Sequence, residues 1–152
     1  MGGGHGRPVT GILASEVPVL IDKRIRSGSP YEDRIGFSRA VVAQGRVLVS
    51  GTAPVPPAGE PVAAGAGDQM RRCGEIIAAA IAEAGSSLEH VVRTRTFITE
   101  PAEADEIGLV HAELFGRARP ASTMVVVAAL LDPDWKVEVE AEALLPFDLP
   151  AG

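Results

Sequence analysis

Four groups of side chains have the types and spacing to do chemistry. They are the alternating carboxylates of "KVEVEAEAL" at 136–144, the cations of "VVRTRTFI" at 91–98, Arg39 inside "FSRAV", and the hydroxyls of "RPAST" at 119–123. In the first, Glu138, Glu140 and Glu142 recur at every second residue, with Val137, Val139, Ala141 and Ala143 between them. That period puts carboxylates on one face of a strand and apolar groups on the other. Carboxylates in such a row repel unless cations lie opposite. Arg93 and Arg95 can supply them from one face of a second strand, with Val92, Thr94, Thr96 and Ile98 on the other. A half-exposed strand with a polar face is the plain interpretation; a paired network or a ligand site is the functional one.

The remaining candidates have bland explanations. Cys73 falls on the apolar stripe of a helix between Met70 and Ile77, the place of a small core residue. As the only cysteine it excludes an intramolecular disulfide and a thiolate zinc cluster. His5, His90 and His111 lie too far apart for metal-ligand spacing. His111, four residues after Ile107, is expected as a packed ring with a backbone partner. Asp132 and Asp134 in "DPDW" are turn residues, and Trp135 beside them caps the end of the core. A net charge of −6 without a Lys/Arg cluster argues against nucleic acid as a ligand. No apolar run approaches the ~20 residues that span a bilayer. No secretory leader pattern opens the chain, so a cytoplasmic location is expected.

These groups need a scaffold, and 152 residues suffice for one core. Residues 1–22 are expected as a flexible extension, 23–146 as the domain and 147–152 as a tail, with an edge strand within 17–26. Valine-rich runs at 37–43 and 46–52 flank "QG", a tight hairpin in which Gly45 takes positive φ. The helix at 68–85 carries Met70, Cys73, Ile77, Ile81 and Ala84 on one stripe and stops at Gly85. A strand follows at 91–99, then a second helix to Gly116 with Ile107, Val110 and Leu114 facing inward. Strands at 122–130 and 136–145 complete a β-β-α-β-α-β-β order, an α+β sheet with two helices on one face. "STMVVVAAL" is apolar on both sides, so the other face should also be covered, most simply by further copies of the chain.

The order of elements and four motifs resemble the reactive intermediate (imine/enamine) deaminase family, also called Rid or YjgF-like proteins. The motifs are "VLVSGTAPV" at 47–55, "AAIAEAGSSLEHVVRTRTFIT" at 79–99, "RPAS" at 119–122 and "KVEVEAEAL" at 136–144. "SPYEDRIGFSRAV" at 29–41 resembles a distinct subgroup. The resemblance implies a chorismate-mutase-like (bacillus type) fold and a homotrimer whose sheets form a central barrel with clefts between subunits. It also implies cofactor-free and metal-free hydrolysis of imines or enamines to a 2-oxo acid and ammonia.

The same resemblance gives "RPAST" its meaning. Deaminating members carry a carboxylate-clamping arginine after "PA", and here that position is Ser122. A family tyrosine is replaced by Phe37, while the carboxylate of the water-activating region is kept as Glu138. The expected site has Glu138 as general base and Arg95 or Arg39 on a small anionic substrate. Ser50, Gly51 and Thr52 form one wall, and Ser122 with Thr123 the other. A small-molecule-binding homologue without deaminase activity is the alternative.

Overall fold

A computed structural model describes residues 21–147, so most of the expected extension and tail lies outside the described residues. The chain runs β1 (Lys23–Ile25), α1 (Pro30–Ile35), β2 (Ala40–Ala43), β3 (Arg46–Thr52), α2 (Ala66–Glu83), β4 (Val91–Ile98), α3 (Ala104–Phe115), β5 (Ala121–Val126) and β6 (Val137–Leu144). The strands make one mixed sheet in the order β1-β2-β3-β6-β4-β5. Only the β4–β5 pair is parallel, as its helical crossover α3 requires. This is the α+β class read from the sequence.

Local chemistry accounts for the elements. Gln44 and Gly45 both take positive φ, 51° and 74°, the pair demanded by the tight hairpin between β2 and β3. Past the end of α2, Gly85 at φ 94° donates its N–H to Ala82 O, and Ser86 N–H bonds Ile81 O. This left-handed closure satisfies carbonyls that the helix leaves open. Most of the expected stripe of α2 is buried: Met70, Cys73, Ile77 and Ile81 are fully enclosed, and Ala84 at its end is partly so. They pack with Ile107, Val110 and Phe115 of α3 and with Val137, Val139, Ala141 and Ala143 of β6. Each enclosed Ile is worth roughly 1.5–3 kcal/mol of transfer free energy.

Four differences have local causes. Helix α1 was not expected, because six residues are too few to show a period. Its signals are Ser29, whose hydroxyl accepts from Tyr31 N–H, Pro30 in the first turn and Gly36 at φ 86°. The first hairpin strand begins at Ala40, not 37. The fifth strand ends at Val126, not 130, because it pairs with β4 alone and β4 runs out at Ile98. Val92 does not share a face with Thr94: the β4–β6 register shifts between Val91 and Arg93, so Val91 is buried and Val92 exposed.

The face away from the helices is mixed, where the sequence suggested an apolar one. Leu48 and Val125 are each about two-fifths exposed there, and Phe97 between them is partly buried. They stand among Arg93, Arg95 and the three glutamates of β6. Among the described residues, no helix is long and apolar enough to cross a membrane.

Candidate functional site

One corner of the sheet gathers most of the expected site residues. Between Val49 and Thr52 strand β3 carries one residue more than its partner β6, so Ser50 and Gly51 form a bulge. The Glu138 carboxylate fills the space beside Gly51; a Cβ there would lie 2.3 Å from Glu138 Oε1. The bulge exposes carbonyls, and Arg39 takes them: its Nη2 donates to Ser50 O at 2.6 Å and Gly51 O at 2.7 Å. Ser50 Oγ donates to Ser38 O at 2.6 Å, and the buried Thr52 hydroxyl donates to Ser50 O at 2.9 Å. Phe37 lies just before this knot, partly exposed.

The electrostatics of the corner are those of two opposite charges drawn out of water. Burial pushes the Glu138 carboxyl above its ordinary range, opposed by the Arg39 cation and reinforced by Glu140. Burial likewise pulls the Arg39 guanidinium down, with Glu32 and Glu138 acting the other way. Arg39 Nε is buried without a hydrogen-bond partner among the described residues. A carboxylate with raised proton affinity beside a buried cation has the character of a general base.

The other strand charges pair across the open face. Arg95 Nη1 lies 3.1 Å from Glu140 Oε2, Arg93 Nε 3.3 Å from Glu142 Oε2, and Arg46 Nη2 3.2 Å from Glu142 Oε1. These pairs are solvated and individually weak. They border a shallow hollow of 80 Å³ with Leu48. Arg95 is thus engaged with Glu140, whereas Arg39 is engaged with backbone carbonyls.

"RPAST" lies elsewhere. Ser122 and Thr123 pair with Thr94 and Arg95 on the edge strand β5. Two strands, β6 and β4, separate β5 from β3, which at ~4.8 Å per strand step sets them about 14 Å apart. Within one chain, therefore, Ser50, Gly51 and Thr52 do not face Ser122 and Thr123 across a crevice. Ser122 Oγ instead lies 3.1 Å from Thr94 Oγ1 and 3.4 Å from His111 Nε2, and Thr94 Oγ1 lies 2.8 Å from the same nitrogen. The imidazole partners are hydroxyls, not the backbone group expected from the sequence. Burial lowers the His111 pKa, and the ring leans on Phe115 at 4.9 Å between centroids.

A larger cavity, 520 Å³, contains none of the expected residues. Thr99, Glu100, Trp135 and Lys136 line it, with Gln69 at its base. The buried Gln69 amide donates to Ala63 O at 2.8 Å and Asp134 O at 2.9 Å and accepts from Lys136 N–H at 2.7 Å. Trp135 is thus half-buried on a cavity wall. The sequence signal was an amide four residues before Cys73 on the apolar stripe of α2. Among the described residues, no three metal-binding side chains come together.

Residues 31–145 match the model of the family described as endoribonuclease L-PSP. The chain belongs to that family. An uncharacterised Streptomyces coelicolor protein is 40% identical over 124 residues, covering 80% of this chain and 90% of its own length. A RutC family protein of Pyrococcus abyssi is 32% identical over 132 residues, covering 86% and 98%. The crystal structure of a YjgF family member from Mycobacterium tuberculosis superposes with a TM-score of 0.74 at 37% identity, covering 81% of this chain and 98% of that one. The endoribonuclease L-PSP domain therefore spans both candidate walls, Gly51 with Glu138 and Ser122 with Thr123.

Proposed function

We propose that this endoribonuclease L-PSP family chain is a cofactor-independent hydrolase of a small imine or enamine, working as a homotrimer in clefts between subunits. The observation that carries the reading is Glu138. Its carboxyl is half-buried, held above its ordinary proton affinity, and seated where only a glycine leaves room. Glu138 takes a proton from water as the oxygen attacks the C=N carbon. Return of that proton to nitrogen gives the carbinolamine, and passage of its hydroxyl proton to nitrogen as the C–N bond breaks releases ammonia and forms C=O, so water is the only co-reactant. Arg39 stabilises the carboxylate and the charge that develops near it, and Arg95 is the alternative cation for that charge.

The cleft requires more than one copy, since the two walls lie on separated strands. Exposed Leu48 and Val125, with partly buried Phe97, on the open face support such an assembly. An acidic chain supports a small metabolite better than the RNA in the family description. Purified protein mixed with an enzymatically generated amino-acid imine should accelerate ammonia release over the imine alone. Failure with several imines would leave the second reading, a non-catalytic small-molecule binder, which Ser122 favours by lacking the charge to clamp a carboxylate. A solution mass of a single subunit would end the cleft reading.

A further inference from the structure

The knot around Ser122 consists entirely of uncharged groups. Thr94 is fully buried on β4, His111 comes from α3, and Ser122 presents the exposed end of the chain of contacts. Burial lowers the proton affinity of His111, and among the described residues no charged neighbour shifts it. A neutral imidazole offers one N–H and one bare nitrogen. With Nε2 bare, Thr94 donates to it and Ser122 donates to Thr94, leaving the Ser122 lone pairs outward. With the proton on Nε2, the imidazole donates to Thr94, Thr94 donates to Ser122, and the Ser122 O–H points outward. The chain runs in either direction at the expense of a tautomer change, so Ser122 can present an acceptor or a donor.

We propose that Ser122, backed by Thr94 and His111, is a subsite for an uncharged hydrogen-bonding group, an amide or carbonyl end of the ligand in place of a free carboxylate. The inference deepens the cleft reading and rests on it for the ligand's other end, the reacting carbon at Glu138. The ability to meet both an N–H and a C=O suits a primary amide, which offers both. A carboxylate is disfavoured here, because one hydroxyl cannot replace the water it would shed. Thr94 and His111 are positioning residues: they set the polarity of a hydroxyl they do not outreach.

Pyruvamide and pyruvate, equal in size and differing in charge, are the probes, with dissociation constants from titration calorimetry. The unaltered protein should bind pyruvamide about tenfold more tightly than pyruvate. Ser122→Ala and Thr94→Val should remove that preference, Thr94→Ser should restore it, and Ser122→Arg should reverse it. Pyruvamide should move the His111 imidazole ¹⁵N resonances in the unaltered protein and leave them in place in Thr94→Val, which a purely structural threonine would not do. Equal or tighter binding of pyruvate, binding of neither probe, or a preference that survives Ser122→Ala would overturn the subsite. A trimer that prefers pyruvate removes this inference and spares the cleft. A lone subunit removes the cleft whichever probe it prefers.

Discussion

Gly51 and Glu138 occupy one site between them: the carboxylate stands where a side chain on residue 51 would be, 2.3 Å from an ideal Cβ. The φ of Gly51 is not in the left-handed region, so the glycine is needed for the space it leaves rather than for backbone freedom. Gly51→Ala should displace the far end of a flexible side chain and leave the fold almost as stable. Displacement of the base should lower ammonia release about 100-fold. Rates near those of the unaltered protein would remove Glu138 from the chemistry.

Glu138→Gln separates function from stability. The folded state raises this carboxyl above its ordinary value of 4.5, so the ionised form weakens the fold. That penalty is absent below 4.5 and grows as pH rises through the raised folded value. The amide variant should therefore melt about 1 °C higher at neutral pH, a small gain because solvent still reaches the group. The gain should vanish in acid, and hydrolysis should be lost at every pH. Thermal melts across the acid range would read the sign directly.

Glu32 should behave in the opposite way. Its buried carboxylate accepts from Ser27 Oγ at 2.7 Å and Ser27 N–H at 2.8 Å, and these bonds, ahead of Arg26, hold its pKa below the ordinary range. The stabilisation is complete above the unfolded value and lost as pH falls through the lowered folded one. Glu32→Gln should cost roughly 1.5–3 kcal/mol at neutral pH, with the deficit shrinking in acid. Denaturant melts at several pH values test this. A deficit independent of pH would show that shape and not charge is what Ser27 holds.

Gln69→Leu leaves two carbonyls and one N–H without their partner, at about 1–3 kcal/mol for each buried group left unsatisfied. Thr96 is the contrasting case, a buried hydroxyl that has no partner among the described residues. Thr96→Val should leave the melting temperature unchanged or raise it slightly. Thermal melts of the two variants side by side should differ in sign.

Strict periods made much of this molecule legible in advance. The alternation through 137–143 fixed which side of β6 is buried, and the i, i+3, i+4 spacing from Met70 to Ile81 fixed the buried stripe of α2. What the sequence hid were departures from period. The bulge at Ser50 and Gly51 was invisible because an extra residue in a strand is known only from its partner. The slip at Val92 escaped for the same reason, and it moved one valine to the wrong side of the sheet. Residue types suggested that Arg39 and Glu138 belong together. They could not show that two carbonyls of the intervening bulge hold the cation. The Thr94, His111 and Ser122 knot joins three elements up to 28 residues apart, beyond any local pattern.

A single amide ties together two backbone segments that are remote in sequence. Ala63, Asp134 and Lys136 have no common strand or helix, yet each depends on Gln69 for a bond. The lining of the 520 Å³ hollow is thereby one mechanical piece: loops on its two sides loosen in concert or stay shut in concert. Whatever settles between Trp135 and Glu100 would meet a vessel already shaped before it arrives.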